Sequence, residues 1–139
     1  METYNFSRKK VYTTFPETPS AKVHELDVGD VSAKVLLEDI IHNRKIYVLT
    51  GPEVLTPRMT VEKISKHLNY KIDLVEQSES ELRKAWVDQG FDQDFVDYYI
   101  IELGKNPRPY SYNITQTIEN ILKKPARTFD QWLFKNKSA

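Results

Sequence analysis

Two periods of hydrophobic and polar residues alternate along this chain, and each change of period predicts a new element. Lys10-Val11-Tyr12-Thr13-Thr14-Phe15 alternates with period two and is rich in β-branched and aromatic residues, the pattern of a strand. Pro16 to Ser20 is turn material, and Lys22-Val23-His24-Glu25-Leu26 alternates again, so a hairpin is predicted over 10–26. Asp27 then reads as a helix N-cap. Ala33, Leu36, Leu37, Ile40 and Ile41 follow at helical spacing, a stripe expected to face a core, with a stop at Asn43. Lys45-Ile46-Tyr47-Val48-Leu49-Thr50 holds an unbroken apolar run and predicts a strand buried on both faces, ended by Gly51-Pro52.

The second half is more helical. Thr56-Pro57 is a cap followed by proline at the first helical position, where its missing N–H costs nothing, and Val61, Ile64 and Leu68 mark the inner face. Lys71 to Val75 reads as a short strand. Ser78 and Glu81 form a capping box ahead of Leu82, Ala85 and Trp86, with a stop at Gly90. Asp92 caps the next helix, stapled by Phe91 and Val96, which carries Phe95, Tyr98, Tyr99 and Leu103 and ends at Gly104. Residues 105–112, with Pro107 and Pro109, read as a loop. Asn113 and Gln116 resemble a capping box before Ile118, Ile121 and Leu122, and Thr128 caps a last helix burying Phe129, Trp132 and Leu133. The expected fold class is α+β and helix-rich, with about five to six helices, a hairpin and two short strands. One domain is expected over 10–135, between a flexible segment 1–9 and a tail 136–139.

Composition narrows the chemistry. Twenty basic and twenty acidic side chains cancel, so no global field draws the chain to nucleic acid or anionic lipid. No apolar run reaches the ~20 residues of a membrane helix, and Met1–Asn5 has no secretory signal pattern, so a cytoplasmic location is expected. The absence of cysteine excludes disulfides, thiolate zinc sites and cysteine nucleophiles. The four glycines, at 29, 51, 90 and 104, stand too far apart for a Rossmann Gly-rich turn or a P-loop. His24, His42 and His67 form no metal-ligand pair, and no serine-nucleophile signature or Tyr-x-x-x-Lys pair occurs. No catalytic, metal or cofactor residue is therefore assigned. The carboxylates between Glu76 and Glu102 read as caps and a solvated face. The aromatics are the better candidates, because aromatic walls with a few hydroxyls suit small hydrophobic ligands. Tyr98, Tyr99 and Tyr110 flank the proline-containing loop, and Tyr12 and Phe15 sit on the predicted hairpin.

Three segments, in order, resemble the C-terminal half of NmrA-like proteins, a branch of the atypical short-chain dehydrogenase/reductases. Leu26-Asp27-Val28-Gly29-Asp30-Val31-Ser32-Ala33 is similar to the family's strand-to-helix junction. Ile46-Tyr47-Val48-Leu49-Thr50-Gly51-Pro52-Glu53-Val54-Leu55-Thr56 is close to its Y-x-L-T-G-P-E-x-L-T segment. Ile118-Glu119-Asn120-Ile121-Leu122-Lys123-Lys124-Pro125-Ala126-Arg127-Thr128-Phe129 resembles its terminal motif, with lysine where glycine is common. The likeness runs from about residue 10 to 135. It implies a substrate-side lobe whose family relatives carry the dinucleotide-binding turn upstream of anything matched here.

The resemblance implies one of two roles. The first is a non-catalytic binding or regulatory module that does not bind dinucleotide by itself. The second is the substrate-binding half of an NAD(P)H-dependent reductase, completed by a Rossmann part. There a quinone, carbonyl or imine substrate would meet Tyr12, Phe15, Tyr98, Tyr99 and Tyr110. Either way, a strand edge and apolar helix faces would be left uncovered, so a homo-oligomer or a nucleotide-binding partner chain is expected.

Overall fold

The computed structural model describes residues 3–5 and 9–136. Its elements in chain order are β1 (Thr3–Asn5), β2 (Lys10–Thr13), α1 (Glu25–Leu37), α2 (Asp39–His42), α3 (Pro57–Leu68), β3 (Asp73–Glu76), α4 (Glu79–Asp88) and α5 (Gln93–Tyr98), then a π-helix (Tyr99–Lys105), α6 (Pro109–Tyr112), α7 (Thr117–Leu122) and α8 (Phe129–Lys135). The architecture is helix-rich α+β, as the pattern predicts. The flexible segment and tail expected at the ends fall partly on residues 1, 2, 6–8 and 137–139, outside the described residues. No helix among the described residues is long and apolar enough to cross a membrane.

The chain folds as two compact units, Met1–Pro19 with Leu55–Arg108, and Ser20–Val54 with Pro109–Ala139. In the first, three strands lie in the order β1-β2-β3. β2 pairs antiparallel with β1 (Tyr4 opposite Val11) and parallel with β3 (Val11 opposite Leu74). Val11 and Thr13 are buried and Tyr12 only half so, the alternation that marked this segment as a strand. Thr56 accepts from the Met59 N–H with Pro57 at the first helical turn, and Ser78 and Glu81 close their capping box. Leu82, Trp86, Val96 and Ile100 form the core. The helix containing Tyr99 does not end at Gly104 as predicted but widens into a π-turn that runs through it. A Cβ on Gly104 would stand 2.2 Å from the Phe15 ring, so only glycine lets that ring lie against the helix.

In the second unit, α1 packs against α7 through Val31, Ile118 and Ile121. The predicted hairpin is not formed, because Lys22–Leu26 makes no strand. His24 is instead the N-cap of α1, its Nδ1 accepting from the Leu26 N–H at 3.1 Å, so the apparent alternation was a cap and a first helical turn. Asp27 is therefore inside the helix rather than capping it. The stripe expected to face the core does the opposite, with Leu36 79%, Leu37 86% and Ile40 94% exposed. Val31 and Val35 pack inward, and at 3.6 residues per turn Ala33, Leu36 and Leu37 lie on the far side of the helix.

Lys45–Thr50 is not a strand either. Its exposure still alternates, Tyr47 and Leu49 packing on the core while Ile46 (95%) and Val48 (48%) face out. No described segment offers it a backbone ladder. It is held by side chains instead: Thr115 donates its backbone N–H to Thr50 Oγ1 at 2.8 Å and its hydroxyl to the Val48 carbonyl at 2.9 Å. Two smaller departures follow the same logic of local competition. Pro109–Tyr112, predicted as loop, forms one helical turn, and α7 starts at Gln116 without a side-chain cap.

Candidate functional site

The first unit gathers its aromatics around Trp86. The α4 capping box sets the helix that carries Trp86, and Asp92, accepting from the Asp94 and Phe95 N–H groups, sets the start of α5. Phe91 and Phe95 are four residues apart across that cap. The Trp86 ring has Tyr99 at 4.7 Å, Phe91 at 5.2 Å and Phe95 at 6.3 Å between centroids, and Phe91 and Phe95 stack on each other at 6.0 Å. Trp86 is buried, whereas Phe91 and Phe95 expose 38% and 49% of their surface. The result is an aromatic ledge with a buried base and open rings, a shape that accepts a flat apolar ligand by stacking.

Of the five aromatics singled out in the sequence, Phe15 and Tyr99 meet on this cluster. Tyr98, immediately before Tyr99, is the last residue of α5 and is 54% exposed. Tyr12 is half-buried in β2. Tyr110 belongs to the second unit, on α6, and is exposed. Phe91, Phe95 and Trp86 were not singled out as ligand candidates. Their signal was present, in two phenylalanines at i and i+4 around a cap, but that spacing also describes ordinary core packing. Charge around the ledge is held in ion pairs, Arg83 with Asp97, Lys105 with Glu79 and Arg108 with Glu102.

The second unit holds a polar knot that joins all three segments singled out by resemblance. Asp27 is fully buried and accepts from both the guanidinium and the backbone N–H of Arg127, the latter at 2.7 Å. Asp30 accepts from Arg127 at 3.0 Å and Lys124 at 2.8 Å. Hydrogen bonds from Lys124 and Arg127 hold the Asp30 carboxyl below its ordinary range, and Asp30 and Asp27 raise Arg127 in return. Glu53 takes the Phe129 N–H at 2.9 Å. Asp27, Asp30 and Glu53, acids of the resembling segments, are thus accounted for by tertiary anchoring. Among the described residues no group of three or more His, Asp or Glu stands together to hold a metal.

No protein-family model matches the sequence, and no curated protein matches it at a significant level. Solved structures do match. An NADPH-dependent quinone oxidoreductase from Escherichia coli superposes with a TM-score of 0.72 at 15% identity, over 93% of this chain and 46% of that one. The triphenylmethane reductase of Citrobacter sp., complexed with NADP(H), gives 0.71 at 14% identity, over 93% and 45%. The chain has the fold of the C-terminal half of an NmrA-like reductase. It spans less than half the length of the structures it matches. Within this fold the three resembling segments are structural first: they supply the Asp27–Arg127 knot, the Glu53 anchor and the outward-facing Ile46 and Val48.

Proposed function

We propose that this chain is the substrate-side half of an NAD(P)H-dependent reductase, completed by a nucleotide-binding sheet, and that by itself it binds ligand without turnover. The observation that carries the reading is Lys45–Thr50. It has the exposure rhythm of a strand, apolar residues on both sides and no ladder partner among the described residues. A segment apolar on both sides is what an interior strand of a parallel sheet needs. The outward Leu36, Leu37 and Ile40 of the neighbouring helices supply a layer for such a sheet to lie against. The fold shared with a quinone oxidoreductase and a dye reductase supports a flat, hydrophobic substrate, and the ledge of Trp86, Phe91, Phe95 and Tyr99, bordered by Tyr98, is the surface that fits one.

Fluorescence titration of the isolated chain tests this, with 1,4-naphthoquinone and NADPH as probes. Saturable quenching by the quinone that is lost in Phe95→Ala, with no saturable response to NADPH, is the expected result. Saturable NADPH binding by the chain alone, or quinone quenching indifferent to Phe95→Ala, overturns the reading.

A further inference from the structure

We propose that the cleft between His24 and the start of α8, in the second unit, binds a small uncharged aromatic compound carrying one hydrogen-bond acceptor, such as an aryl amide or ketone. The cleft holds about 150 Å³, and a cavity of roughly that size takes up a benzene ring. Its wall is aromatic. Phe129 and Trp132 stand at i and i+3 on α8, their rings stacked with 5.6 Å between centroids and 10° between planes, and Val23 completes the apolar lining. Flat faces of this kind hold a planar ring by offset stacking.

His24 supplies the polar contact. Its side chain lines the cleft and is only 4% exposed. Nδ1 is spent on the Leu26 N–H at 3.1 Å, which turns the Nε2 edge of the ring away from the first turn of α1. Nε2 itself has no hydrogen-bond partner among the described residues. With Nδ1 accepting, the neutral imidazole keeps its single proton on Nε2. A second proton on Nδ1, facing the Glu25 carboxylate at 3.2 Å, leaves the Nε2 proton in place. A nearly buried donor without an acceptor gains free energy from any ligand that brings one. Charge argues for a neutral ligand. Lys22, Arg127 and Glu25 line the cleft, Arg127 is held by Asp27 and Asp30, and Asp30 is held also by Lys124. These groups are three cations and three carboxylates, so they leave no excess charge to select an ion. Stacking and a single hydrogen bond are what the walls offer.

Heteronuclear NMR of the full chain, titrated with benzamide, toluene and benzoate, tests the site. Benzamide is expected to saturate in the millimolar range, with shifts centred on the amides of Val23, His24, Phe129 and Trp132 and on the Trp132 indole, and to move the His24 Nε2 resonance. Toluene has the ring without the acceptor, so it is expected to bind roughly three- to tenfold more weakly and to leave that resonance in place. His24→Ser keeps an N-cap for α1 and removes the ring donor, and the advantage of benzamide over toluene is expected to disappear in it. An unsaturable benzamide titration, shifts centred elsewhere, equal affinity for toluene, benzoate bound more tightly than benzamide, or an undiminished benzamide preference in a folded His24→Ser chain each overturns the proposal. Should that variant fail to fold, the comparison of benzamide with toluene on the unaltered chain decides.

Discussion

Asp27 shows how much one residue can carry. It is fully buried, and both the backbone and the guanidinium of Arg127 depend on it across a sequence separation of 100 residues. Removing one member of a buried pair strands the other, which costs about 3 kcal/mol. Asp27→Ala is therefore expected to lower the urea midpoint by an amount of that order, with the slope unchanged; a loss under about 1 kcal/mol would show the pair to be dispensable. Gly104 is the second such residue. Gly104→Ala puts a methyl into the Phe15 ring and is expected to cost about 1–3 kcal/mol. Phe15→Ala in the same chain removes the clash, so the double variant should be more stable than the sum of the single losses predicts, while strict additivity would show that the ring can move aside freely. Neither role was legible in the sequence. Asp27 before an apolar stripe reads as a cap, and Gly104 after one reads as a stop, because only tertiary partners distinguish a cap from a buried acceptor.

Elements were legible where local chemistry decides them. Thr56-Pro57, the Ser78–Glu81 box, Asp92 and Thr128 all start helices where their hydrogen bonds predict, since each cap satisfies its own first turn without help from afar. Orientation was not legible in the same way. α1 is apolar on two sides, and periodicity cannot say which side meets α7 and which is left outward. Lys45–Thr50 illustrates the same limit for strands, because a strand exists only with a neighbour to bond. The outward side chains carry little of the stability of this unit. Ile46→Glu, at a position 95% exposed, is expected to shift stability by no more than about 0.5 kcal/mol, measured by urea unfolding. A large loss would mean that Ile46 is packed in solution. In a pull-down against a nucleotide-binding partner, the same substitution should abolish association.

For the molecule as a whole, pH is a sensitive probe. Asp30, Glu38 and Glu81 all have pKa values lowered from 3.8, 4.5 and 4.5, Asp30 first by Lys124, Glu38 first by Lys34 and Glu81 by the Ser78 backbone N–H. A depressed carboxyl stabilises the fold fully above its unfolded pKa, and that contribution is lost as pH falls through the lower folded value. Stability is thus expected to be flat from neutral pH down to about 5 and to decline progressively below the 3.8–4.5 range, followed by thermal melts between pH 7 and 2.5. A decline centred near pH 6 would contradict this account.

By itself the sequence determined the fold class, the helix starts at Thr56, Ser78, Asp92 and Thr128, and the absence of a Gly-rich phosphate turn, since all three rest on local backbone chemistry and residue inventory. It also carried the likeness to the NmrA-like half, because the segments that knot the second unit are contiguous stretches. Only the tertiary structure decided that Asp27 is a buried acceptor, that the aromatics assemble on Trp86 and that β2 lies between β1 and β3. Those facts depend on which distant residues meet, and hydrophobic periodicity records how apolar a face is without recording what covers it.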